Sequence, residues 1–234
     1  MFNEKAFLPE KTLTKPKNFL KNKPAYIFHH FMKCGGTSLT LSLKNWFLII
    51  NDHYKAMKDI EEYKLKRYDI SKLNSENCIV GHFNYEGIHV FERYPEVIDE
   101  TNNIKVFTFI RDPLSFCISL YYYTRRFGRI EDTLINYINS NRNLLAYYLP
   151  CHENNYKEIL NRYFFIGITE RMQESVNKLA EIFNKRKIQM TIANKTERDS
   201  QMSILTDDFV KNFKLKNELD YKIYNYCAEK FNMI

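Results

Sequence analysis

The residues that could carry chemistry begin with a lysine, two adjacent glycines and two hydroxyl side chains, in the stretch YIFHHFMKCGGTSL. The chain has six glycines in all, so the pair Gly35 and Gly36 indicates a turn that needs them. Glycines let a backbone approach a ligand closely, and a helix N-terminus directs unpaired N–H groups at an anion. Lys33 adds a full charge, while Thr37 and Ser38 add hydroxyl donors. We therefore expect this turn to bind a phosphate-like group; the alternative is a plain strand–helix turn with a surface lysine.

The order of these residues disfavours two common nucleotide-binding loops. The loop that binds nucleoside triphosphates has its lysine after the glycines, in the pattern GxxxxGK[ST]. Here Lys33 precedes Gly35 and Gly36, so a metal-bound triphosphate is disfavoured. The dinucleotide pattern GxGxxG is also absent. The loop is therefore expected to hold another kind of anion.

Further polar side chains follow two other apolar segments. Arg111 comes directly after residues 104–110, and Ser119 lies eight residues later. Arginine binds phosphate through charged, forked hydrogen bonds, and a serine further along a helix can reach the same group. His82 also ends an apolar segment, and an imidazole is a common general base near neutral pH, with Glu86 as the reserve base. Taken alone, the arginine could form a surface ion pair and the histidine could be a packing residue.

The glycine-containing loop matches a known type of site. The run KCGGTSL, entered from His30, resembles the 5′-phosphosulfate loop of sulfotransferases that use 3′-phosphoadenosine-5′-phosphosulfate (PAPS). The closer resemblance is to the carbohydrate branch, which contains the uronosyl 2-O-sulfotransferases and usually reads His-Ile-Pro-Lys-Thr-Gly-Gly-Thr-Ser. This chain departs from that pattern at Phe31, Met32 and Cys34. Cradling of a ligand by the backbone is expected to survive these changes.

A second stretch supports the same resemblance. Arg111-Asp112-Pro113 with Ser119 is similar to the 3′-phosphate motif of that family, in which the arginine and the serine bind the 3′-phosphate. The sequence Gly-Ile-Thr-Glu-Arg at 167–171 looks like another landmark of the family. The resemblance covers the chain from about residue 26 to residue 231.

The resemblance implies in-line transfer of a sulfuryl group from PAPS to an acceptor hydroxyl, with PAP as the product and no metal. It makes His82 the general base and Lys33 the cation at the leaving group. Lys195 and Arg198 could close over the nucleotide, although a solvated loop explains them equally well. The acceptor would be a carbohydrate or a related molecule, and the basic charge mildly favours an acidic one. The residues that would bind the nucleotide are Lys33, Cys34, Gly35, Gly36, Thr37, Ser38, Arg111 and Ser119.

Two other classes of protein remain open. Cys34 lies beside Lys33 at a predicted helix N-terminus, where a thiol becomes more acidic, so it could be a nucleophile as in phosphatases. The phosphatase loop needs an arginine six residues after the cysteine, and Thr40 stands there instead. The other alternative is a protein that binds PAP or an acidic glycan without turnover.

Composition bounds the class of protein. A net charge of +7 over 234 residues favours anionic partners, but the lysines are scattered, so nucleic acid is not expected as the main partner. The five cysteines are dispersed and form no CxxC pair, which disfavours a disulfide framework and a zinc site. No apolar run is long enough to span a membrane and the N-terminus does not resemble a signal peptide, so we expect a soluble, cytoplasmic protein.

Short strands alternate with helices in the predicted elements. Strands are predicted at 25–31, 78–83, 104–110 and 163–166, and Asp112 and Pro113 suit the start of a helix over 113–127. Other helices are predicted at 38–47, within 130–162, from about 172 to 184, at 206–213 and at 220–231.

This alternation predicts an α/β fold of three layers (αβα), with a central parallel sheet and a P-loop-like nucleotide-binding core. We expect one domain over 1–234, with a polar arm at 1–24 and helical insertions at 51–77 and 129–160 that shape the acceptor cleft. Ligands bind at the carboxyl ends of parallel strands, so the loop, His82 and Arg111 should share one site.

Overall fold

The structure, a computed structural model, describes residues 24–53, 59–85, 87–190 and 205–234. Its strands are β1 (Ala25–His29), β2 (Leu48–Asn51), β3 (Asn77–Gly81), β4 (Asn84–Tyr85), β5 (Ile88–His89), β6 (Ile104–Ile110) and β7 (Phe165–Ile168). Its helices are α1 (Gly36–Leu43), α2 (Ile60–Leu65), α3 (Val90–Arg93), α4 (Pro113–Arg126), α5 (Leu134–Ser140), α6 (Leu144–Tyr148), α7 (Tyr156–Asn161), α8 (Met172–Ile182), α9 (Asp207–Lys216) and α10 (Glu218–Met233).

Five strands form one parallel sheet in the order β2-β3-β1-β6-β7, while β4 and β5 form a separate antiparallel pair. The first strand lies in the middle, with Ala25 opposite Ile104 of β6 and Tyr26 opposite Cys78 of β3. The carboxyl ends of β1, β3 and β6 therefore lie side by side. The predicted α/β fold with a central parallel sheet is confirmed.

Helices cover both faces of this sheet. Successive residues of β1 point to opposite faces, yet Tyr26, Ile27 and Phe28 are all buried. A strand that is buried on both sides is typical of a parallel sheet between two helical layers. Aromatic rings fill much of the core, and Phe28 of β1 stacks on Phe107 of β6 with ring centroids 5.1 Å apart. The three-layer prediction is therefore confirmed.

The start of α4 forms as its sequence predicts. The side chain of Asp112 accepts a hydrogen bond from the backbone N–H of Ser115 at 2.9 Å, and Pro113 is the first helical residue. Proline fits this position because its missing N–H would have no partner inside the helix. The cap fixes the direction in which the helix leaves β6, beside Arg111.

Several predicted boundaries are wrong. The strand β2 was not predicted, and α1 begins at Gly36 rather than at residue 38. The last strand lies two residues later than 163–166, because Gly167 belongs to it and lies against the ring of Phe109.

The two predicted insertions contain short helices. In the region 51–77, the described residues include one short helix, α2, and a 3₁₀ turn at Ile70–Lys72. The region 129–160 contains α5, α6 and most of α7. Most of the predicted arm, residues 1–23, lies outside the described residues. In the part of the chain that the structure describes, no helix is both long and apolar enough to cross a membrane.

Candidate functional site

A cleft of about 500 Å³ opens where β1, β6 and β7 end. Each of these strands is followed by residues of its wall: Lys33 after β1, Arg111 after β6 and Thr169 after β7. The structure thus brings together most of the residues singled out in the sequence. The full lining is His30, Lys33, Gly35, Gly36, Thr37, Ser38, Arg111, Ser119, Thr169, Met172, Gln173, Gln189 and Met190.

The glycine pair allows the loop to close tightly over the start of α1. Gly35 has a φ of 77°, in the left-handed region that side chains avoid, and it forms the N-cap of α1. Gly36 lies against the imidazole of His30, and a Cβ atom at this position would overlap the ring. The turn therefore needs glycine twice, once for backbone conformation and once for space.

Lys33 is held at both its backbone and its side chain. Its φ is 59°, and its carbonyl oxygen accepts a hydrogen bond from Nη1 of Arg111 at 3.2 Å. Its ammonium lies over the ring of Tyr123, with Nζ 4.5 Å from the ring centroid. Burial, followed by the nearby positive charge of Arg111, lowers the pKa of Lys33 below its usual value.

Arg111 has a buried donor without a hydrogen-bond partner in the described part of the chain. Its side chain is 22% exposed, and its Nε is a buried donor with no hydrogen-bond partner among the described residues. The carboxylate of Glu170 is 3.9 Å away, which is too far for a hydrogen bond. A buried, unsatisfied guanidinium N–H fits an anionic ligand, because such groups are costly to leave unpaired. Ser119, nearly buried on α4, lines the same cleft.

The end of β7 is tied to the residues around Arg111. Oε1 of Glu170 accepts a hydrogen bond from the backbone N–H of Asp112 at 3.1 Å, and Oε2 accepts one from the hydroxyl of Tyr224 on α10. Oγ1 of Thr169 lies 2.7 Å from the carbonyl oxygen of Ile110. These bonds join three segments that are distant in sequence into one wall.

Cys34 does not take part through its side chain. It is 1% exposed and does not line the cleft, although its carbonyl oxygen lies 3.2 Å from Oγ1 of Thr169. Burial raises the pKa of its thiol well above the usual value. A buried, protonated thiol is a poor nucleophile, so the geometry argues against the phosphatase-like interpretation.

His82 lies beside the cleft rather than in its wall. Its ring is exposed, and Nδ1 is 2.9 Å from the carbonyl oxygen of His30. A carbonyl only accepts, so Nδ1 carries the proton and Nε2 is the basic nitrogen. The ring centroid is 4.3 Å from that of His30 and 5.3 Å from that of His53. His82 is therefore next to His30, which lines the cleft.

The imidazole of His30 stays neutral. Burial, followed by the neighbouring His82, His53 and Lys33, lowers the pKa of His30 to about 3. A neutral ring at this position adds no further positive charge near Lys33. No trio of histidine, cysteine or acidic side chains arranged for a metal ion occurs in the described part of the chain.

One wall of the cleft was not predicted from the sequence. Oε1 of Gln173 accepts a hydrogen bond from the backbone N–H of Met190 at 2.8 Å, and its Nε2 donates to the carbonyl of Ile188 at 2.9 Å. This amide holds the segment 188–190 against α8, with Gln189 and Met190 facing the cleft. No pattern in the sequence marks this segment. Glu86, Lys195 and Arg198 lie outside the described residues.

Two sulfotransferases of known structure are similar to this chain. Mouse sulfotransferase SULT7A1 complexed with PAP matches with a TM-score of 0.53 at 14% identity, over 87% of this chain and 89% of that chain. A sulfotransferase from Alicyclobacillus acidocaldarius matches with a TM-score of 0.46 at 15% identity, over 86% of this chain and 96% of that chain. No protein-family model matches the sequence, and no curated protein matches it significantly. At such low identity the likeness to the mouse protein shows the fold, which is that of a sulfotransferase.

Proposed function

We propose that this chain transfers a sulfuryl group from PAPS to a hydroxyl group of a carbohydrate or a related acceptor. The observation that carries the proposal is the convergence of two phosphate-type motifs. Lys33 and Arg111, 78 residues apart in sequence, are joined by a hydrogen bond and line one cleft. The shared fold with a sulfotransferase complexed with PAP adds support.

The two motifs would hold the two ends of the nucleotide. The backbone N–H groups that start α1, with the hydroxyls of Thr37 and Ser38, suit the 5′-phosphate. The guanidinium of Arg111, whose Nε has no hydrogen-bond partner among the described residues, and the hydroxyl of Ser119 suit the 3′-phosphate. Cys34 would contribute its backbone alone, since its thiol is buried away from the cleft.

The remaining groups suit the transfer step. PAPS would supply the sulfuryl group, with sulfur gaining a bond to the acceptor oxygen as its bond to the 5′-phosphate oxygen breaks. Lys33 would stabilise the negative charge that develops on that phosphate. Nε2 of His82 would take the proton of the acceptor hydroxyl, while the carbonyl of His30 keeps the ring in the required tautomer.

The acceptor class rests on the sequence resemblance and on charge. The loop resembles that of the carbohydrate branch, including the uronosyl 2-O-sulfotransferases, and the chain carries a net charge of +7. We therefore propose a sugar hydroxyl, with an acidic sugar favoured. The five dispersed cysteines, which form no CxxC pair, support our proposal of a reducing, cytoplasmic setting.

The test measures sulfate transfer from radiolabelled PAPS to a panel of glycans and small alcohols, together with calorimetry of PAP binding. We expect transfer by the wild type. The His82→Ala variant should bind PAP normally but turn over roughly 10²–10⁴-fold more slowly, because it lacks the base. His152→Ala, which removes an exposed histidine beside α7, is the control and should behave as wild type.

The outcomes separate the alternatives. Tight PAP binding without transfer to any acceptor would indicate a binding protein. Normal turnover by His82→Ala would show that another group is the base. Absence of PAP binding by the wild type would refute the proposal as a whole.

A further inference from the structure

We propose that Tyr123 is a positioning residue, whose ring face holds the ammonium of Lys33 at the cleft for the transfer step. The inference rests on the proposed function and deepens it. Lys33 has a long, flexible side chain, and a catalytic cation must be held in place to stabilise charge without reorganising.

Tyr123 lies on helix α4, which gives its ring a rigid position. Nζ of Lys33 is 4.5 Å from the ring centroid of Tyr123, within the range of a cation–π contact. Tyr123 comes one turn after Ser119, so Ser119 and the ring that contacts Lys33 lie on the same face of α4. Its ring packs against Phe127, with centroids 5.0 Å apart, and against the main core.

The ring holds the charge without neutralising it. Lys33 forms no salt bridge with any acidic residue that the structure describes. A carboxylate in the place of Tyr123 would fix the ammonium but would also cancel the charge that the leaving phosphate needs. The quadrupole of an aromatic ring attracts a cation and leaves its full charge available.

The charges around Lys33 show why its ammonium needs a stabilising contact. Arg111 and Arg126 both repel the ammonium and lower the pKa of Lys33, and burial does so more strongly. From its own loop, Cys34 acts in the opposite direction. The face of the Tyr123 ring stabilises the protonated form of Lys33. It also keeps the ammonium at the cleft, although the two arginines repel it.

The first experiment compares Tyr123→Leu with Tyr123→Phe. We expect the leucine variant to lose about tenfold in kcat, with the KM for the acceptor and the affinity for PAP changed by less than about twofold. The phenylalanine variant keeps the ring and should stay within about twofold of wild type. Tyr147→Leu, which removes an exposed ring on α6, is the matched control. Equal losses in the phenylalanine and leucine variants would assign the effect to the hydroxyl and overturn the proposal.

A second series guards against misfolding of the leucine variant. Phenylalanines with increasing numbers of fluorine atoms at position 123 keep the shape of the ring while removing the negative charge from its face. We expect kcat to fall stepwise with fluorine number at constant thermal stability. A flat series would overturn the proposal.

A third readout does not depend on catalysis. Nitrogen NMR of the lysine side chains, with the Lys33 signal assigned from Lys33→Arg, reports the pKa of Lys33 directly. Loss of the ring should lower this pKa in Tyr123→Leu but not in Tyr123→Phe or Tyr147→Leu. An unchanged pKa in the leucine variant would refute the contact even where transfer is observed, and a lowered pKa would support it even if the chain transfers no sulfate.

Discussion

At the scale of the residue, Arg111 has two tasks on the proposed function: it holds the Lys33 loop and it binds a phosphate. Nη1 donates to the carbonyl oxygen of Lys33, whereas Nε is buried and has no hydrogen-bond partner among the described residues, with a carboxylate oxygen of Glu170 3.9 Å away. The forked shape of the guanidinium makes both tasks possible, and an ammonium at the same place could not reproduce it.

Replacement of Arg111 tests both tasks. We expect Arg111→Ala to weaken PAP binding by roughly 10–100-fold, since hydrogen bonds to charged groups contribute about 1.5–3 kcal/mol each. Arg111→Lys should also bind weakly, because it keeps the charge but loses the fork. Calorimetry measures both, with Lys105→Ala at the opposite end of β6 as the control. Wild-type affinity in Arg111→Lys would show that charge alone matters.

The residue types of the site could be predicted from the sequence, but their surroundings could not. The lysine, the glycines, the arginine and the serine all line the cleft as expected. The sequence does not show that the side chain of Cys34 points into the core, because no periodic pattern fixes the direction of a side chain in a loop. It also does not reveal Gln173 or Tyr123, whose partners are distant in sequence.

At the scale of the element, prediction failed mainly where a strand is short and half exposed. The edge strand β2 has only four residues, and Leu48 and Asn51 are exposed. A short apolar run of this kind cannot be distinguished from the end of a helix by periodicity. By contrast, β6 is buried along most of its length and was predicted with its correct bounds.

Helix α6 depends on a cap from another helix. Its own N-cap residue, Asn143, is in the left-handed conformation and makes no side-chain cap. Asp220 of α10 instead accepts hydrogen bonds from the backbone N–H groups of Leu145 and Ala146, both at 2.9 Å. Burial nevertheless raises the pKa of Asp220 to about 6, although the N–H groups act in the opposite direction.

Stability should therefore respond to pH through Asp220. In the unfolded chain an aspartate has a pKa of about 3.9, so between about pH 4 and 6 the folded state binds the extra proton. The free energy of unfolding should fall as pH rises through this window, by on the order of 2–3 kcal/mol relative to Asp220→Asn, which cannot titrate. Denaturant unfolding of both proteins at pH 4, 5 and 6 measures the difference. A difference that grows with pH would show that the N–H groups outweigh burial.

At the scale of the molecule, the site depends on topology. The parallel arrangement was predicted, and it places the ends of β1, β6 and β7 at one edge. The order of the strands could not be predicted, because it depends on packing between segments that share no local pattern. The wall formed by 188–190 was missed for the same reason.

Because the cleft joins three distant segments, a bound nucleotide should stabilise the whole domain. At about 100 times its Kd, a ligand adds about 2.7 kcal/mol, which for a domain of this size raises Tm by about 5–10 °C. We expect such a rise with PAP in a thermal shift assay. A clearly smaller rise is expected with 5′-AMP at the same concentration, since it lacks the 3′-phosphate. Equal shifts would show that Arg111 and Ser119 bind no phosphate.

The hydrogen bond between Arg111 and the carbonyl of Lys33 fixes the length of the cleft. The bond links the two ends that are proposed to bind phosphates, so the distance between them is set before a ligand binds. On the proposed function, the cleft selects a nucleotide by the distance between its two phosphate groups, before any contact with the base. Moving one phosphate from the 3′ to the 2′ oxygen would change that distance and leave every charge in place.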